Sequence, residues 1–233
     1  MKLKSIKKSD YKGYVYDLVV SKNENFVCEG VVIHNCAKKK YMMQIYNSEG
    51  VDYNPPKLKI MGIEVVRSST PHLVRKYLKD AIPIIFDKGI FALRDYAKDI
   101  EYRFKSSPVE KIAFPRGVNN IEKYDTGNGN YGPRTPMHVR ASILYNHHTK
   151  PMPKYEKIKS GDKIKFVYLK MPNLIREDVI GFPATKSVPK ELKLDNFIDF
   201  DRMFESVFLN PLQSIISPMG WKLVESSVLD DFA

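Results

Sequence analysis

Apolar residues recur at helical spacing along several stretches of this 233-residue chain and alternate at strand spacing in others. From Leu73 to Ile85 the positions Leu73, Val74, Tyr77, Leu78, Ala81, Ile82 and Ile85 fall on one helical face. Thr70 as N-cap and Pro71 at the first helical position mark its start. Pro83 interrupts the stripe. An interior proline costs about 3 kcal/mol, so a kink or an early end is expected there. Gly89 separates a second helix, Ile90 to Phe104, with Leu93, Ala97, Ile100 and Phe104 on one face. Residues 111–135 are rich in Gly, Asn and Pro and read mostly as loop. Thr135-Pro136 repeats the start signal and opens a helix through Val139, Ile143, Leu144 and His147. Phe200 to Ile216 is helical in pattern, with Pro211 dividing it, and a short tail follows from Ser226.

Strand patterns flank the helices. Val15 to Val20 and Val31 to Ile33 are short apolar strands near the start. Lys38 to Tyr46 reads as a strand that opens on a basic cluster. Asn47-Ser48-Glu49-Gly50 is a turn signal, and Lys57 to Ile60 is a second strand. Gly161 to Lys170 alternates, and Ile180 to Pro183 is read as a further strand. Helices dominate and a small β layer lies at the front, which predicts an α+β fold.

The sharpest chemistry lies at Ile33-His34-Asn35-Cys36. Cys36 offers a thiol nucleophile. The Asn35 side-chain amide can attack its own main-chain carbonyl and close a succinimide, given a fold that holds the geometry. His34 is placed to protonate the departing backbone nitrogen. Read together with Tyr14 to Val32, this stretch resembles the C-terminal end of an intein, and Asp17 falls where many inteins carry an aspartate that assists acyl transfer. Glu24 stands where the intein pattern usually has His, so either Glu24 substitutes or His34 carries more of the work. It ends only 35 residues from Met1, which implies the C-terminal half of a split intein. The resemblance implies a partner chain ending in the N-half, joined at Cys36 by trans-splicing.

Charge and cysteine content narrow the setting. Lys and Arg number 38 against 27 Asp and Glu, a net +11. Residues 1–35 hold six Lys and four acids, so +9 belongs to residues 36–233. A basic surface of that size favours a polyanionic partner. Cys28 and Cys36 are the two cysteines, too few for a zinc site with His34 as the one neighbouring ligand. Cys36 must stay reduced to react, which points to a reducing cytosol. Lys2 to Lys8 is basic without an apolar h-region, and no apolar run has membrane-spanning length. His147-His148 makes a poor metal pair, because adjacent helical residues point in different directions.

A second resemblance covers residues 36–233. Lys38-Lys39-Lys40-Tyr41, then Pro56 to Ile63, Arg67 to Pro71, Val118 to Asp125 and Pro136 to Asn146 resemble, in order, the palm-to-thumb passage and thumb of family B DNA polymerases, specifically the T-even-like bacteriophage branch. The tail Ser227 to Phe232 resembles that branch's sliding-clamp-binding peptide. The resemblance implies domains at 1–35 (intein fragment), 36–70 (end of palm), 71–225 (thumb) and 226–233 (clamp-binding tail). It implies primer–template contacts from Lys38, Lys39, Lys40 and Tyr41 in the minor groove. Asn119, Asn120, Lys123, Tyr124, His138, Arg140, Tyr145 and Asn146 are polar groups suited to phosphates or sugars, although not all need touch DNA: Tyr124 and Tyr145 fit equally as core tyrosines with satisfied hydroxyls, and His138 as a helix N-terminal contact. Val228, Leu229 and Phe232 would dock on the clamp. Asp199-Phe200-Asp201 precedes a helix, where acids act as caps, so no catalytic metal pair is read on this chain. The Mg2+ and dNTP sites of the assembled enzyme belong to the partner chain, in the cytoplasm of an infected bacterial host. A different reading is a stand-alone basic DNA-binding accessory protein with an inert leader.

Overall fold

A computed structural model describes residues 25–28, 31–34, 41–48 and 50–224. Its fold is α+β, as the sequence pattern predicts.

The front is one antiparallel sheet of four strands in chain order: β1 (Asn25–Cys28), β2 (Val31–His34), β3 (Tyr41–Ser48) and β4 (Val51–Met61). β2 pairs with β3 at Val32 opposite Met42. β4 is far longer than Lys57–Ile60. It carries Pro55 and Pro56, which lack the ladder donor, and tolerates them as an edge strand. Gly50, at φ +85°, makes the β3–β4 turn, and Asn47 Nδ2 donates to Asp52 Oδ1 at 2.7 Å.

Two long helices follow, α1 (His72–Asp87) and α2 (Gly89–Lys105). Their buried stripes are those the periodicity gives: Val74, Leu78, Ala81, Ile82 and Ile85 on α1, and Leu93, Ala97, Ile100 and Phe104 on α2. Two expectations fail in detail. The α1 N-cap is Pro71, not Thr70, and no side chain caps it. Pro83 does not end the helix either. It sits on the exposed face, where its ring costs a hydrogen bond but displaces no core contact.

Residues 111–135 are not mostly loop. After α3 (Val109–Ile112) come β5 (Phe114–Gly117), α4 (Ile121–Tyr124) and the hairpin of β6 (Asp125–Gly127) and β7 (Asn130–Tyr131). Elements this short give no periodic signal; tertiary pairing defines them. β5 pairs with β8 (Lys163–Tyr168), which pairs with β9 (Val179–Pro183), all antiparallel. α5 (Met137–Thr149), N-capped by Pro136, packs across this sheet. It is buried on almost every side, and its Ser142 and Thr149 hydroxyls donate to the main-chain carbonyls of His138 and Tyr145. A Cβ on Gly181 of β9 would come within 3.0 Å of the Ala141 main chain, so glycine sets how closely helix and sheet approach.

The last helical stretch is α6 (Phe200–Phe204), a π-helical turn over Glu205–Leu209, and α7 (Asn210–Ile216). Pro211 does not divide it: it occupies the first turn of α7, where its missing N–H is harmless, and the widened π turn precedes it. Asp199 caps α6 by accepting from the Arg202 N–H at 3.0 Å.

Candidate nucleic-acid interface

Several candidate residues lie outside the described residues: Asp17, Asn35 and Cys36 of the splicing set, Lys38, Lys39 and Lys40 of the groove motif, and Val228, Leu229 and Phe232 of the tail. His34 is the last residue of β2, opposite Asn25. Tyr41 is the first residue of β3, opposite Met61.

Residues 118–124 fold into a small polar knuckle. Val118 is fully buried and anchors the segment. Its N–H donates to the Asp162 carbonyl, and its own carbonyl accepts from the Gly161 N–H at 2.7 Å. Asn119 and Asn120 then project to solvent, and Asn120 adopts a left-handed backbone, φ +58°, to start α4. The Ile121 N–H donates to Ser160 Oγ at 3.0 Å, and Ser160 donates to Glu122 at 2.7 Å. The hydrogen bond from its own main chain, then the one from Ser160, hold the Glu122 carboxyl below its usual range. Lys123 is exposed, its Nζ 5.6 Å from the Tyr124 ring centroid, while Tyr124 is half-buried. Asn119, Asn120 and Lys123 are thus held together, facing water, on a rigid base.

The β6–β7 hairpin extends the knuckle. Gly127 pairs with Asn130, leaving Asn128 and Gly129 as the two-residue turn, at φ +53° and +80°. Asn-Gly is the preferred pair for this turn type. A Cβ on Gly129 would lie 2.6 Å from the His147 imidazole, so the hairpin tip rests directly on α5.

Three of the polar candidates are placed in or against the core. Tyr145 is 1% exposed and meets Tyr155 edge-on, with ring centroids 6.4 Å apart. It is a core residue, and burial raises its phenol pKa. Asn146 is turned to the main chain of Ile158: its Nδ2 donates to the carbonyl at 2.8 Å and its Oδ1 accepts from the N–H at 2.7 Å. Arg140 is paired with Asp178, which also accepts from Arg202 at 3.0 Å, and its guanidinium lies 5.5 Å from the Tyr131 ring centroid. The hydrogen bonds of Arg140 all run through Nη2, and its buried Nε has no hydrogen-bond partner among the described residues. His138 is half-buried, and burial, then Arg116, lower its pKa.

A stronger signal is regional. Residues 111–193 contain 16 Lys and Arg against 7 Asp and Glu, a net +9, whereas residues 194–233 contain 2 against 7, a net −5. The largest share of the chain's positive charge therefore belongs to the part built around α4, α5 and β8, residues 36–110 adding +5. Summing charge by segment would have revealed this in the sequence; the overall +11 conceals it. Not every cation there is available. Lys154 is ion-paired with Glu191, whose carboxyl is pushed down to about 2 by hydrogen bonds from Lys154 and Tyr155. Among the described residues no group of three or more His, Cys, Asp or Glu could hold a metal ion, and no helix is long and apolar enough to cross a membrane. Burial, then His147, lower the His148 pKa.

Over about four fifths of its length the chain is homologous to phage DNA-directed DNA polymerases of family B. It is 30% identical over 196 residues to the DNA-directed DNA polymerase of Enterobacteria phage T4, covering 83% of this chain and 22% of that protein. It is 34% identical over 182 residues to that of Escherichia phage RB69, covering 77% and 20%. The chain thus spans about a fifth of the length of these curated relatives. A stretch of 35 residues, 15% of this chain, is 54% identical to DNA topoisomerase 1 of Pyrococcus furiosus, covering 3% of that protein. No protein-family model matches the chain.

Proposed function

We propose that residues 36–233 form the DNA-gripping C-terminal part of a family B DNA polymerase, and that residues 1–35 are the C-terminal half of a split intein. Trans-splicing at Cys36 joins this part to a partner chain that carries the catalytic palm. The observation that carries the polymerase reading is homology to two phage DNA-directed DNA polymerases over 77–83% of the chain, with only about a fifth of their length represented. On the trans-splicing reading, the remainder of the polymerase lies on the chain joined at Cys36. The partner supplies the Mg2+ and dNTP sites.

The concentration of +9 in residues 111–193 supports the DNA grip. Lysine and arginine near phosphates release counterions, which gives affinity without sequence preference. The solvent-facing Asn119, Asn120 and Lys123 add hydrogen bonds suited to phosphate and sugar oxygens. Lys38, Lys39, Lys40 and Tyr41 would meet the minor groove, directly downstream of the partner's palm once the chains are ligated. Val228, Leu229 and Phe232 would dock on a sliding clamp.

The splicing chemistry rests on His34-Asn35-Cys36 with Asp17. The Cys36 thiolate accepts the acyl chain of the partner, breaking the partner's thioester and forming its own. Asn35 cyclises, its side-chain nitrogen attacking its main-chain carbonyl, and the backbone nitrogen of Cys36 leaves with a proton from His34. The freed amine of Cys36 then takes the acyl group from sulfur and an ordinary peptide bond results.

The test is the intact mass of the native protein captured through its C-terminus from its source lysate. The expected species is far heavier than 26.9 kDa, lacks residues 1–35, and has a new peptide bond at Cys36. A 26.9 kDa species retaining Met1 to Asn35 would reject trans-splicing. In reconstitution, the double variant Asn35→Ala, Cys36→Ala should abolish ligation while the two chains still associate.

A further inference from the structure

An open apolar groove of about 810 Å³ lies between the end of α2 and the α6–α7 stretch, well away from the basic knuckle in sequence and opposite to it in segment charge. Its apolar lining is Phe204, Leu209, Leu223 and Val224. Leu223 and Val224 are there because side chains capture the main chain just before them. Arg94 donates through Nε and Nη2 to the Lys222 carbonyl at 3.0 and 2.9 Å. Gln213 Nε2 donates to the Trp221 carbonyl at 2.8 Å, and its Oε1 accepts from the Leu223 N–H at 2.9 Å. These four bonds fix the direction of the chain as it enters the groove. Val224, 72% exposed, forms an apolar wall of the groove.

We infer that this groove is the seat of the chain's own C-terminal segment, residues 225–233, with Val228, Leu229 and Phe232 as the apolar anchors. The choice of occupant follows from chain connectivity. Val224 lines the groove itself, so residue 225 begins there and no linker has to be spanned. A tether of that length gives an effective concentration of about millimolar or more, so weak apolar contacts suffice. Three apolar side chains within nine residues match a floor that is apolar. Of the four acids that line the groove, Glu101 and Asp201 are both held by Lys105, Arg202 is taken by Asp178, and Lys222 is the remaining basic group in the lining.

Docked there, the three anchors are hidden from any other partner. The segment acts as an intramolecular competitor, and a clamp that takes it must first empty the groove. The test reads the groove alone, so its failure is distinguishable from failure of clamp docking. In the full chain with Cys28→Ser and Cys36→Ser, Asn210→Cys on the groove rim is combined with Leu229→Cys and oxidised. The expected product is a disulfide within one chain, independent of protein concentration. Its yield should fall at least tenfold when the exposed wall is changed by Val224→Lys, and again with Leu209→Lys in a variant whose circular dichroism is unchanged. A control pairing Leu229→Cys with Thr126→Cys on the hairpin should give none. A yield no higher than that control overturns the inference. So does a disulfide that forms only between chains and grows with concentration, which would make the occupant a second copy.

Discussion

Asn146 shows how much a single side chain can decide. Its amide has one donor and one acceptor face, and both meet the main chain of Ile158, a residue only 2% exposed. The pair fixes the turn that leads into β8 and supplies Ser160, which in turn holds α4. Asn146→Ala strips a buried N–H and a buried carbonyl of their partners, each worth about 1–3 kcal/mol when left unsatisfied. The expected outcome is a loss of about 2–4 kcal/mol in urea unfolding at unchanged m-value, with DNA affinity lost only in proportion to the unfolded fraction. A loss of affinity with stability intact would mean that Asn146 touches nucleic acid. A polar residue in a polar motif says nothing about which way it faces. Asn119 and Asn146 look alike in sequence, yet one is exposed and the other is spent on the backbone.

At the scale of elements, the β6–β7 hairpin carries the strongest local signal that a periodicity search passes over. Asn128-Gly129 is the preferred two-residue turn, but its strands are three and two residues long, too short to alternate. Long helices were legible because each buries every third or fourth residue over many turns, as Val74 through Ile85 do. The short elements of 111–135 were not, because β5 exists through pairing with β8, some 50 residues on. Turn glycines in the hairpin can be separated experimentally. Both have positive φ, so Gly127→Ala and Gly129→Ala each carry about 1–2 kcal/mol of backbone strain. A Cβ at 127 meets open space, whereas at 129 it collides with His147. Gly129→Ala should therefore destabilise by clearly more than Gly127→Ala, and adding His147→Ala should recover the difference. Equal costs for the two glycines in thermal unfolding would show that the tip does not rest on α5.

For the whole molecule the question is whether the overall +11 or its placement governs nucleic-acid binding. If net charge alone mattered, any two lysines would be equivalent. If the face built from residues 111–193 is the interface, position matters. Lys159 and Lys163 are exposed on that face, next to the knuckle; Lys76 and Lys79 are exposed on α1. Reversing either pair to Glu changes the net charge by the same amount. For duplex DNA, the logarithm of affinity falls with the logarithm of salt with a slope of about 0.9 per phosphate neutralised. Lys159→Glu with Lys163→Glu should therefore flatten that slope by about 1–2. Lys76→Glu with Lys79→Glu should leave it nearly unchanged, and any small loss of affinity there should come from the long-range field, which salt screens within about 8 Å at physiological ionic strength. Equal flattening by both pairs would show a diffuse attraction and remove the argument for a built interface. A flattening confined to the first pair would place the phosphates along β8 and the turn before it, on the side of the molecule where Asn119, Asn120 and Lys123 already face solvent.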